Sequence, residues 1–124
     1  MVIPPTSLVV KREKQESLLI FSVTGEIDVY SATDFKRTID EGSWGKNKVI
    51  IHLSKVNFID STGLGVLVSI LRRLRSQGGN LRLVITDKEL LKTFEVTSLN
   101  RLFSINKTVD EAKRSLIASE TRLF

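Results

Sequence analysis

The chain has no cysteine, so disulfides and thiolate metal sites are excluded. It has a single histidine, His52, which excludes a multi-histidine metal centre. Its two prolines, Pro4 and Pro5, both stand at the start, and no linker or low-complexity tract interrupts the rest of the chain. Aromatic residues are scarce, with one Trp, one Tyr and six Phe, so there is little to stack on nucleic-acid bases. Apolar runs reach only four or five residues, far short of the roughly 20 needed to span a bilayer. The first residues, MVIPPTSLVVKREK, hold no apolar stretch of signal-peptide length. A cytoplasmic location is therefore expected, with no membrane span.

What is present describes an ordinary soluble domain. The chain has 124 residues, 41% hydrophobic and 27% charged, which suits one domain with one core and argues against disorder. Lys and Arg outnumber Asp and Glu by 19 to 14, giving a net charge of +5. A basic balance can signal nucleic acid or acidic lipid. Here the bases are scattered, apart from Arg72, Arg73 and Arg75 on one predicted helix. A solvated helix face is the reading of that cluster, and no direct nucleic-acid contact is expected.

The chain then alternates strands and helices. Pro4-Pro5 predicts an extended lead-in. Ser7–Lys14 and Ser17–Thr24 read as a β-hairpin whose second strand stops at Gly25. Ser31 opens a helix, with Asp34 completing a shortened capping box, Ala32, Phe35 and Ile39 at helical spacing, and Gly42 as the end. Lys48–Ser54 is a continuous apolar run, typical of a strand covered on both faces. Ser61–Gln77 is the clearest helix: Leu64, Leu67, Leu71 and Leu74 form one apolar stripe before Gly78-Gly79 ends it. Leu81–Ile85 reads as a strand, Lys88–Phe94 as a short helix, and Phe103–Asn106 as a brief last strand. Thr108 and Glu111 form a capping box for a final helix through about Ala118. The order β-β-α-β-α-β-α-β-α predicts an α/β fold with a mixed, mostly parallel sheet of four to five strands and about four helices.

The stretch Val56-Asn57-Phe58-Ile59-Asp60-Ser61-Thr62-Gly63-Leu64-Gly65 carries the chemistry. A loop after a buried strand delivers Asp-Ser-Thr-Gly to the start of the longest helix. The first N–H groups of a helix lack internal partners and lie at the positive end of its dipole, so such an end receives anions. Gly63 and Gly65 remove side-chain bulk where another molecule can approach. Two readings stand side by side. In one, Asp60 or Ser61 is simply the N-cap, contributing roughly 1 kcal/mol. In the other, the Ser61 hydroxyl accepts a phosphate. The added charge of about −1.5 to −2 suits the helix end but opposes a docked partner beside Asp60, which switches binding without refolding.

Three blocks then resemble the STAS family, specifically its bacterial anti-sigma factor antagonists. They are Val23-Thr24-Gly25-Glu26-Ile27-Asp28, Phe58-Ile59-Asp60-Ser61-Thr62-Gly63-Leu64-Gly65, and Gly78-Gly79 followed by a hydrophobic strand. The resemblance covers about residues 7–118 and implies one STAS domain over 1–124, with 119–124 as a tail. It implies a binding protein that captures an anti-sigma factor serine kinase of the GHKL type and so frees a sigma factor for transcription. The kinase's target maps onto Ser61, and a PP2C-type phosphatase reverses the modification. Asp28, Asp60, Ser61, Thr62, Gly63 and Gly65 are the implied partner-binding residues. ATP and magnesium belong to the kinase; nothing in this chain resembles a P-loop, and no cofactor or metal is expected. The charge of +5 is basic for such an antagonist. The alternative within the family is an interaction module of a stress-sensing scaffold or of a lipid or anion transport complex.

No nucleophile–base pair or metal set points to an enzyme, and no catalytic residue is assigned. His52, inside the apolar run, reads as a core or edge histidine. Trp44 reads as a loop residue partly covering the core, and Glu26 with Asp28 as shaping the binding surface.

Overall fold

Two strands joined by a tight turn open the described part of the chain, β1 (Val9–Gln15) and β2 (Leu18–Ile27), paired antiparallel from Val9–Thr24 to Gln15–Leu18. The computed structural model describes residues 8–46 and 48–121. The Pro4-Pro5 lead-in and the end of the tail lie outside them. There follow α1 (Ala32–Gly42), β3 (Lys48–Ile59), α2 (Ser61–Ser76), β4 (Asn80–Val84), α3 (Lys88–Val96), a 3-10 turn (Leu99–Arg101), β5 (Ser104–Asn106) and α4 (Val109–Thr121). The sheet runs β1-β2-β3-β4-β5, and every pair after the first is parallel. The mixed, mostly parallel five-stranded sheet and four α-helices match the order expected from the sequence.

Strand alternation divides the core. Leu19, Phe21, Val49, Ile51, Leu53, Leu81 and Leu83 point to one face, where they meet Phe35 and Ile39 of α1, Leu67, Ile70, Leu71 and Leu74 of α2, and Phe94 of α3. Leu18, Ile20, Ile50 and Val84 point to the other, under Ala112 and Leu116 of α4. Buried Arg82 adds a polar tie to α4 by donating to the Ser115 hydroxyl at 2.7 Å. The end of α2 is built as the Gly78-Gly79 pair predicts. Gly78 takes φ +77, and Gly79 N–H reaches back to the Leu74 carbonyl at 2.8 Å.

Four local expectations change. β2 does not stop at Gly25, nor β3 at Ser54; both run on to the helix that follows, to Ile27 and Ile59. Gly25 takes φ +118 beside the second of two register shifts, and β3 carries the extra residues at both. A bulge moves the inward positions along a strand by one. Val56 and Ile59 therefore both stay in the core, although three residues apart. Gly42 ends α1 without the left-handed turn that usually favours glycine there. A Cβ on it would stand 2.9 Å from the Phe21 ring, so the position is kept small by packing. Arg73 is not solvated like Arg72: it crosses to α1, pairing with Asp40 at 2.8 Å and donating to the Ser43 hydroxyl at 2.6 Å. Finally, α4 continues beyond Ala118 to Thr121.

Candidate functional site at the start of α2

β3 delivers Asp60 directly to α2, and this aspartate, not Ser61, is the N-cap. One carboxylate oxygen accepts from Gly63 N–H at 2.9 Å and the other from Val29 N–H at 3.0 Å. The carboxylate thus closes the first turn of α2 and ties it to the β2–α1 loop. A charge-assisted bond of this kind is about twice as strong as a neutral one. With the cap filled, the Ser61 side chain is left over. It is exposed at the first helical position and makes no hydrogen bond among the described residues. Thr62 follows it, also exposed.

The loop tied to Asp60 is shaped by Asp28 and Ser31. Asp28 is buried, and its carboxylate accepts from Tyr30 N–H at 2.9 Å and Ser31 N–H at 3.1 Å. It faces into the loop, so its contribution to any partner surface is indirect. The Ser31 hydroxyl accepts from Asp28 N–H and donates to the Glu26 carbonyl. It does not cap α1, and the expected capping box is absent: the Ser31 hydroxyl and N–H are both engaged in the loop, and Asp34 pairs with Arg37. This framework holds Val29 and Tyr30 outward, 59% and 79% exposed.

Phe58, just before Ile59-Asp60, is 48% exposed because the second bulge turns Ile59 inward. Val29, Tyr30 and Phe58 therefore flank the Asp60–Val29 tie, and the sequence reading missed all three. No local signal marks them: Phe58 turns outward only because a bulge lets Val56 and Ile59, three residues apart, both point inward. An outward apolar group of this kind beside a free hydroxyl suits a protein contact.

The two glycines of the motif separate. Around Gly65 the space is open. A Cβ on Gly63 would stand 2.5 Å from the Ile27 carbonyl and 2.8 Å from Ile59. Gly63 is buried, and its missing side chain serves the close approach of α2 to β2 and not the approach of another molecule. That corrects the expectation for Gly63 and leaves Gly65 open to solvent.

His52 lies half-buried in β3, between Ser22 and Val84 of the flanking strands. Burial, reinforced by the charge of Lys55, holds its imidazole below the ordinary histidine range. Its Nδ1 faces the Ser54 N–H at 3.4 Å within the first bulge, a structural role. Trp44 covers no core at all and stands almost wholly in solvent. Among the described residues no three His, Asp or Glu side chains gather as a metal site, and no helix is long and apolar enough to cross a membrane.

Residues 10–112 match the STAS domain, and the chain belongs to that family. It is 32% identical over 94 residues to the anti-sigma-B factor antagonist of Bacillus subtilis, covering 76% of this chain and 86% of that one. With the anti-sigma-B factor antagonist of Listeria monocytogenes it shares 33% identity over 106 residues, 85% and 92% of the two chains. The crystal structure of an anti-sigma factor antagonist from Mycobacterium paratuberculosis superposes with a TM-score of 0.82 at 25% identity, over 94% and 98% of the two. The relatives are thus regulatory proteins by name rather than enzymes.

Proposed function

We propose that this chain is an anti-sigma factor antagonist of the cytoplasm that binds an anti-sigma factor serine kinase of the GHKL type and is released from it by phosphorylation of Ser61. The observation that carries the reading is the division of labour at α2. Asp60 satisfies the helix end, and Ser61 is left exposed with an uncommitted hydroxyl. A phosphate there adds about −1.5 to −2 charges at the positive end of the helix dipole, so the fold tolerates it. A partner that had buried Val29, Tyr30 and Phe58 would have to desolvate that dianion next to the Asp60 carboxylate, and the complex weakens. A PP2C-type phosphatase then restores the binding form. Exposed Thr62 and Gly65 belong to the same contact. Binding of the kinase frees a sigma factor, and transcription follows.

The test is a pair of pull-downs from source-cell lysate with Ser61→Ala and Ser61→Asp baits, with bound proteins identified by mass spectrometry. Capture of a GHKL-type kinase by the Ala bait and its loss with the Asp bait is the expected result. Equal capture by both baits would reduce Ser61 to a surface residue of the helix start.

A further inference from the structure

The opposite end of the domain carries an exposed aromatic side chain beside an open depression. Three turns meet there: the β1–β2 turn with Ser17, the α1–β3 loop with Trp44, Gly45 and Lys46, and the end of α2 with Gln77. Together they line an open depression of about 440 Å³, within the size range of clefts that hold ligands or peptide side chains. Trp44, the chain's only tryptophan, stands 81% exposed at its edge. Tryptophan is a large apolar group and a frequent anchor at protein interfaces.

The loop that displays Trp44 is fixed from beneath. Ser43 is completely buried, and its hydroxyl donates to the Ile39 carbonyl at 2.6 Å and accepts from Arg73 at 2.6 Å. Arg73 is itself held by Asp40. Lys46 N–H closes the turn onto the Ser43 carbonyl at 2.9 Å, and Gly45 supplies the φ of +75 that the turn needs. A loop held on such a support loses little backbone freedom on binding, which favours affinity.

Charge selects the partner. Lys46 lines the depression, and no carboxylate does so among the described residues. The Ser17 hydroxyl and the Gln77 amide add groups able to hydrogen-bond a peptide backbone. We propose that this end docks an acidic peptide segment of a protein partner, with an apolar residue of that segment against the Trp44 indole and a carboxylate on Lys46. Gln77 closes the far end of α2 from Ser61, about 24 Å along a 16-residue helix at 1.5 Å per residue. The two surfaces therefore share no residue, and the peptide site lies clear of Ser61.

A phage-displayed library of random seven-residue peptides, selected on the immobilised full chain, tests this. Sequences combining acidic and apolar residues should be enriched. A capped synthetic copy should shift the emission of the single tryptophan in a saturable way. Calorimetry should show it binding at least about tenfold more weakly to Trp44→Ala and to Lys46→Glu. Both sites are at the surface, and circular dichroism should show both variants folded. Ser61→Asp should bind the peptide like the parent chain. Enrichment of neutral or basic sequences, no enrichment, or undiminished binding by Trp44→Ala would each overturn the proposal. An emission shift produced by protein concentration alone would assign the surface to a second copy instead.

Discussion

Ser31 and Ser61 both stand where a helix begins, and the protein uses them in opposite ways. Ser31 precedes α1, and its hydroxyl is spent inside the β2–α1 loop on Asp28 N–H and the Glu26 carbonyl. Ser61 opens α2, and its hydroxyl is spent on nothing among the described residues. The difference lies in where the neighbouring aspartate falls. Asp28 sits three residues before Ser31 and folds the loop around it, whereas Asp60 immediately precedes Ser61 and takes the cap. A serine at a helix start becomes available for chemistry when another residue satisfies the backbone first.

The strongest way to break the Ser61 arrangement is to push α2 off β2. Gly63→Val places a branched side chain where even a Cβ would be 2.5 Å from the Ile27 carbonyl. Neither backbone can move cheaply, and overpacking of this kind costs about 3 kcal/mol or more. Chemical denaturation should show that loss, so stability and any partner binding fall together. The control is Gly65→Ala, where the space is open. It should be neutral or gain up to about 1 kcal/mol, because alanine favours a helix over glycine. Equal effects at the two positions would undo the distinction between them.

The two polar anchors, Asp60 and Ser31, should differ in what their loss costs. Asp60→Ala removes a cap and the bond to Val29 N–H, and should cost about 2 kcal/mol. Ser31→Ala removes one hydroxyl that both accepts and donates, and should cost about 1 kcal/mol. Thermal melts of the two variants give the ranking. Amide exchange adds a local readout: Val29 should lose protection in Asp60→Ala. If Ser31→Ala proved the more damaging, the loop and not the cap would be the principal support of the site.

Much of this was legible in the sequence, for reasons that also explain the gaps. The Leu64, Leu67, Leu71 and Leu74 stripe and the Gly78-Gly79 stop are local signals, and the structure keeps both. The ends of β2 and β3 were not legible. Val56 and Ile59 are three apart, a spacing that fits a helix face and breaks strand alternation unless a bulge intervenes, and a bulge needs the partner strand to define it. The exposure of Phe58 was hidden for the same reason, and that of Val29 and Tyr30 because the bond that ties their loop to Asp60 joins residues 31 apart. Gly63 and Gly65 look alike in sequence, and only the position of the Ile27 carbonyl tells them apart. Arg73 could not be separated from Arg72 and Arg75, because its partner Asp40 is 33 residues away.

The smallest expected effect is the most informative about Ser61. If its hydroxyl is truly uncommitted, Ser61→Ala should change stability by no more than about 0.5 kcal/mol, half of what Ser31→Ala loses. Ser61→Asp should fall within the same range, since the helix dipole favours the new carboxylate and the adjacent Asp60 opposes it. Both are measurable by denaturation, with circular dichroism to show that the fold is kept. A loss above about 1 kcal/mol in Ser61→Ala would mean that the serine supports the helix after all, and modification there would then alter the fold along with the surface. A flat response would leave the Ser61 side chain free to respond to a kinase, while the Asp60 carboxylate ties the start of α2 to the β2–α1 loop.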